Sequence, residues 1–188
     1  AKAGVTTGEW GFAMRAEFGE YRAPTGVGKA ISNAAQGLDD IREAVDVVSA
    51  KLGRRMKFIV GKPGLDGHSN GAEQIAVRAR DSGIDVTYEG IRMTPEEILK
   101  RAVEEDAHVI GLSILSGSHV PLIEEVMDRM TKQNLSIPVV VGGIIPDADA
   151  DLLLAKGVAK VYTPKDFDLN KIMFDIVGLV GAEDQAAA

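Results

Sequence analysis

A chain of 188 residues has room for one domain and an extension, and its composition, 45% hydrophobic and 26% charged, is that of an ordinary globular protein. The net charge of −7, with Lys and Arg interspersed among the acids, leaves no basic stripe to neutralise phosphates and argues against nucleic-acid binding. No apolar run is long enough to span a membrane, no signal-peptide pattern opens the chain, and cysteine is absent; the expectation is a cytoplasmic protein without disulfides or thiolate metal sites.

In chain order, residues 1–28 read as loop-like and hold Trp10, Phe12, Phe18 and Tyr21, an aromatic density that needs a surface to pack on. Residues 29–55 read as a linker with one helix, marked by Leu38, Ile41, Ala44, Val45, Val48 and Leu52 at helical spacing. From about residue 56 to residue 181, short β-rich runs alternate with amphipathic helices. The first strand, Lys57-Phe58-Ile59-Val60-Gly61, ends in a glycine-rich loop, and a helix follows with Ile75, Ala76 and Ala79 on one face. Asp85-Val86-Thr87-Tyr88-Glu89 reads as the second strand. Thr94-Pro95-Glu96-Glu97 then announces a helix, with Thr as N-cap, Pro first and Glu three residues after the cap.

The third strand is read over residues 108–114, and the helix after it carries Leu122, Ile123, Val126, Met127 and Met130. The fourth is Pro138-Val139-Val140-Val141-Gly142-Gly143, followed by a short helix around Leu152–Leu154. Ala159-Lys160-Val161-Tyr162 is the fifth strand, closed by a helix with Leu169, Ile172, Met173, Ile176 and Val177. Residues 182–188 read as a disordered tail. Five strands alternating with helices predict an α/β, flavodoxin-like, doubly wound parallel sheet of order 2-1-3-4-5, preceded by a linker segment. Such sheets bind ligands beyond the carboxyl ends of the strands, near the switch point between strands 1 and 3.

The loop at that place reads Gly64-Leu65-Asp66-Gly67-His68-Ser69-Asn70-Gly71. A histidine flanked by glycine projects freely, and neutral imidazole is a good ligand for cobalt and other transition metals. Asp66 is placed to take a hydrogen bond from the other ring nitrogen, and Gly71 would let a bulky group approach the backbone. The alternative is a histidine that merely neighbours a helix cap. Strand 3 ends in Ser113-Ile114-Leu115, followed by Ser116-Gly117-Ser118-His119, and strand 4 ends in Gly142-Gly143. Small residues there leave either a slot for a flat apolar group, with the Ser113 hydroxyl as a polar contact, or a capped strand and a tight turn. His108 reads as a satisfied core or edge residue, and His119 either as a cofactor contact or as a helix-start residue. Gly26-Val27-Gly28-Lys29 lacks the context of a P-loop. A receiver domain would need an acidic pair after strand 1 and an aspartate after strand 3, where this chain has Gly61-Lys62 and Ser113-Ile114.

Asp66-x-His68-x-x-Gly71, Ser113-x-Leu115 and Gly142-Gly143 together resemble the three-part signature of base-off, His-on cobalamin-binding domains, over residues 56–181. These occur in acyl-CoA mutases, glutamate mutase and methionine synthase. The resemblance implies that His68 replaces the cofactor's own base as lower axial ligand of cobalt, with Asp66 as its hydrogen-bond partner. It implies that the displaced nucleotide tail enters the core between Ser113, Leu115, Gly142 and Gly143, with Tyr162 and Thr163 near its end, and that Gly67, Ser69, Gly71 and Gly117 also adjoin the cofactor. The stretch Phe18-Gly19-Glu20-Tyr21-Arg22-Ala23-Pro24-Thr25-Gly26-Val27 is similar to the exit from the substrate barrel of acyl-CoA mutases, and Ser69-Asn70 after His68 to the ethylmalonyl-CoA branch. The implied cofactor is adenosylcobalamin, the implied chemistry a radical carbon-skeleton rearrangement of a branched acyl-CoA. No catalytic residue is expected in this chain, and turnover is expected to need a substrate-binding barrel domain or subunit. A homodimer in the full enzyme and a G-protein chaperone are implied as well. A corrinoid methyl carrier or a free-standing cobalamin module shares the motifs; a carrier would place a four-helix cap upstream, where one clear helix is expected here.

Overall fold

The computed structural model describes residues 4–19 and 27–186. Residues 1–33 and 34–188 form two separately compact units. In the first, α1 (Thr7–Phe18) occupies much of the stretch expected to be loop-like. Its start is written in a capping box: Thr6 Oγ1 accepts from the Glu9 N–H at 3.2 Å, and Glu9 Oε2 accepts from the Thr6 N–H at 2.9 Å. Trp10 and Phe12 stand exposed on this helix. Most of the expected barrel-exit segment, residues 20–26, lies outside the described residues. The backbone of α2 (Val27–Leu52) is helical well before Leu38, so the expected linker is largely one helix.

The second unit contains a five-stranded parallel sheet in the order β2-β1-β3-β4-β5, as the alternation of strands and helices predicted. The strands are β1 (Lys57–Gly61), β2 (Asp85–Tyr88), β3 (Val109–Ile114), β4 (Val139–Gly143) and β5 (Lys160–Tyr162). The intervening helices are α3 (Asn70–Asp81), α4 (Pro95–Glu104), α5 (His119–Lys132) and α6 (Asp147–Ala155), with α7 (Leu169–Ala186) closing the chain. The backbone of α7 runs through residues 182–186, which had read as tail, because nothing in Gly181-Ala182-Glu183-Asp184-Gln185 forbids helical dihedrals.

Side chains alternate across the strands and feed two cores. Phe58, Val60, Val109 and Val140 join Ile41, Val45, Ala72, Ala76, Met173 and Ile176, so α2, α3 and α7 cover one face. Ile59, Ile110, Leu112, Ile114 and Val141 join Ile98, Leu99, Ile123, Val126 and Leu153, so α4, α5 and α6 cover the other. The start of α4 is the predicted one: Thr94 Oγ1 accepts from the Glu97 N–H at 3.2 Å and Glu97 Oε2 from the Thr94 N–H at 2.7 Å. Because β1 leads to α3 on one face and β3 to α5 on the other, the chain parts between β1 and β3. That split leaves a crevice at their carboxyl ends.

Candidate functional site

The loop after β1 fills this crevice, and backbone bonds to the β2–α4 connection fix its beginning. The Met93 N–H donates to the Lys62 carbonyl at 3.1 Å and the Gly64 N–H to the Met93 carbonyl at 3.0 Å. Gly64 turns with φ +83°, a conformation that calls for glycine, and packs close to the Leu122 side chain, 2.8 Å from where a Cβ would lie.

Asp66 is the centre of the loop, its side chain 4% exposed. Its Oδ1 accepts from the His68 N–H at 3.0 Å and lies 2.7 Å from His68 Nδ1. Its Oδ2 accepts from the Leu115 N–H at 2.9 Å and from the Lys62 ammonium at 3.3 Å. Burial by itself would raise the pKa of this carboxyl; the bonds from His68 and Leu115 and the charge of Lys62 outweigh it and hold Asp66 well below the usual carboxylate range. An ionised Asp66 obliges Nδ1 of His68 to carry the proton, which leaves the lone pair on Nε2. The His68 side chain is 79% exposed, so that lone pair is presented outward.

Lys62 escaped the reading of the sequence. It is fully buried, donates to the Ser113 carbonyl at 3.0 Å as well as to Asp66, and so ties the ends of β1 and β3 together. A lysine directly after a buried strand, four residues before an aspartate, was the available signal: a buried ammonium needs a counter-charge.

Beside the loop lies a mostly apolar cavity of about 430 Å³ between the sheet and helices α3 and α7. Gly71, Ser113, Leu115, Gly142, Gly143, Tyr162 and Thr163 all contribute to its lining. Asp66, Gly67, His68 and Ser69 are outside it, on the loop, and Gly117 is exposed on the β3–α5 connection. The Leu115 N–H on Asp66 is the link between loop and cavity. Ser113, Gly142 and Tyr162 are neighbours across β3, β4 and β5, so the two glycines belong to a strand and not to a tight turn.

The two glycines differ in kind. A Cβ on Gly143 would fall 1.8 Å from the Ile114 carbonyl oxygen, so the approach of β3 and β4 requires it. A Cβ on Gly142 would meet only Tyr162 Cβ, at 3.9 Å, so a larger side chain there would occupy the cavity. The Tyr162 hydroxyl is buried without a hydrogen-bond partner, and burial, then the charges of Asp175 and Asp166, push its pKa up and keep it neutral. His119 is absent from the cavity lining; its ring nitrogens face the Ser116 carbonyl and Asp149.

Residues 56–165 match the family model of the B12 binding domain. The chain belongs to the B12-binding domain family. It is 65% identical over 187 residues to an ethylmalonyl-CoA mutase of Cereibacter sphaeroides, an alignment that covers all of this chain and 29% of that protein. To an ethylmalonyl-CoA mutase of Methylorubrum extorquens it is 56% identical over 191 residues, covering all of this chain and 28% of that one. The chain thus spans less than a third of these relatives and matches the cobalamin-binding part of the mutase. Among solved structures, a cobalamin-binding protein from Desulfitobacterium hafniense superposes with a TM-score of 0.57 at 18% identity, over 87% of this chain and 76% of that one. At that identity the likeness concerns the fold. Among the described residues, no helix of this B12-binding domain is long and apolar enough to cross a membrane.

Proposed function

We propose that this B12-binding domain holds adenosylcobalamin with the cofactor's own base displaced and His68 Nε2 in the lower axial position of cobalt. The observation that carries the reading is the outward lone pair on Nε2, set by Asp66, beside an apolar cavity that opens at the same end of the sheet. Among the described residues, no group of three or more His, Cys, Asp or Glu converges on a metal ion. A single protein ligand suits a metal whose other positions are filled by its own macrocycle.

The cavity fits the displaced nucleotide base. Its volume is in the range of small-ligand sites, its lining is apolar, and it offers an unpartnered Tyr162 hydroxyl and the Ser113 side chain as polar contacts. Gly71 at the start of α3, where a Cβ would meet no atom within 4 Å, leaves room beside the loop. When bound, adenosylcobalamin supplies radical chemistry. This chain's residues contribute position: Lys62 fixes Asp66, Asp66 orients His68, and the cavity walls exclude water from the tail. The substrate is a branched acyl-CoA such as ethylmalonyl-CoA or methylmalonyl-CoA, bound by a barrel that belongs to the longer protein. Whole-chain identity to the mutases extends upstream of residue 56, which favours a mutase over a methyl carrier. A cytoplasmic homodimer served by a G-protein chaperone is the assembly this reading carries with it.

The test is a visible-absorption titration of the chain with adenosylcobalamin, repeated with His68→Ala. The wild type is expected to show histidine-ligated cofactor, and the variant to bind at least about tenfold more weakly with a spectrum lacking histidine ligation. Identical spectra for the two proteins would refute the axial role.

A further inference from the structure

A second histidine shapes the loop that reaches Asp66. The Leu115 N–H donates to Asp66 Oδ2 at 2.9 Å. One residue further on, the Ser116 carbonyl lies 3.2 Å from Nδ1 of His119, the first residue of α5, and Nε2 of the same ring lies 2.8 Å from Asp149 Oδ2 on α6. The His119 side chain is 7% exposed, against 37% for Asp149. Both oxygens are acceptors, so the ring bonds the two together only with a proton on each nitrogen, and in that form it cannot flip without breaking a buried contact.

The pair does not serve the caps of the helices that carry it. Ser118, the N-cap of α5, makes no side-chain cap bond, and α6 starts from Pro146 without one. What the pair does join is the β3–α5 loop to the first turn of α6. The Leu115 N–H and the Ser116 carbonyl lie two peptide planes apart in the same short loop, so holding the carbonyl restrains the segment that presents the N–H to Asp66. Helices α5 and α6 cover the sheet face opposite the cavity. Besides the Leu122 side chain of α5 against Gly64, this loop is a route by which they reach the site.

The geometry points to His119 and Asp149 as positioning residues for His68: Asp149 orients His119, His119 holds the Ser116 carbonyl, and the Leu115 N–H so aimed fixes Asp66 and with it the His68 ring. The inference rests on the axial role of His68 proposed above. Outer partners of a ligating histidine commonly change metal affinity by about 10- to 100-fold. Asp149 acts at greater remove, and its effect belongs at the lower end.

The experiment uses the full chain, grown with 15N-histidine, and cob(II)alamin as probe. Electron paramagnetic resonance then reads the axial nitrogen, because the splitting from a protein histidine changes with the isotope and that from the cofactor's own base does not. Wild type is expected to show the isotope-sensitive splitting. Asp149→Ala should bind about tenfold more weakly and lose most of that splitting, while Asp149→Asn, which keeps an acceptor for the ring, should restore it. Full splitting in Asp149→Ala with affinity within about twofold of wild type would overturn the positioning role and leave the axial role of His68 intact. Splitting that survives His68→Ala, or is absent in wild type, would overturn the axial role instead. If Asp149→Ala loses the splitting together with its helical circular dichroism, the pair serves folding and the positioning role is again overturned.

Discussion

The three histidines are set apart by what their ring nitrogens face. His68 gives one nitrogen to a buried carboxylate and presents the other outward; His119 has an oxygen at each; His108 accepts through Nδ1 from the Lys57 N–H at 2.8 Å. That bond requires an unprotonated Nδ1. Burial, then the nearby Arg54 charge, lowers the pKa of His108 in the folded chain. As pH falls below the unfolded value of about 6.5, the unfolded chain takes up the proton first, so stability is lost from there down to the depressed folded pKa and is undiminished above it. Thermal unfolding should therefore show wild type losing more stability than His108→Asn between about pH 7.5 and pH 5.5. Parallel losses in the two proteins would mean that His108 carries no linked proton.

At the scale of the element, the end of β4 separates fold from site within two residues. Gly143→Ala sets a methyl against the Ile114 carbonyl, backbone that cannot swing aside, and is expected to cost about 3 kcal/mol or more in denaturant unfolding. Gly142→Val meets no such obstacle, since its nearest atom would be Tyr162 Cβ at 3.9 Å. It should keep an unfolding free energy within about 1 kcal/mol of wild type and still lose cobalamin affinity by about tenfold, because the new side chain fills the cavity. Unchanged affinity in a folded Gly142→Val would place the cofactor tail elsewhere. The pair of substitutions thus distinguishes a glycine required by strand approach from one required by a ligand.

For the molecule as a whole, the candidate site lies where the chain parts between β1 and β3, with the His68 loop and the apolar cavity at the same end of the sheet. The chain spans 29% of the Cereibacter sphaeroides mutase it matches, and residues for the substrate are expected in the remainder of such a protein. The isolated chain with adenosylcobalamin should accordingly show no isomerisation of ethylmalonyl-CoA in a product assay. Turnover by the chain alone would place the substrate site within these 188 residues.

The sequence by itself determined the order and kind of the elements from β1 to α7, because burial on both faces of a parallel sheet imposes apolar runs and amphipathic stretches that alternate visibly. It also determined the start of α4, whose capping box is confined to four neighbouring residues, and the pairing of Asp66 with His68, two positions apart. Helix α1 carried the same kind of local signal at Thr6 and Glu9, obscured by its aromatic neighbours. The tertiary structure alone decided what joins residues far apart in the chain. Leu115 reaches Asp66 across 49 positions, Lys62 reaches Ser113 across 51, and His119 meets Asp149 across 30. It alone assigned Gly143 to strand approach and Gly142 to the cavity, and left the Tyr162 hydroxyl without a partner. Local patterns record backbone preference and burial, whereas the match of one buried polar group to another depends on strand order and register, which exist only once the sheet has formed.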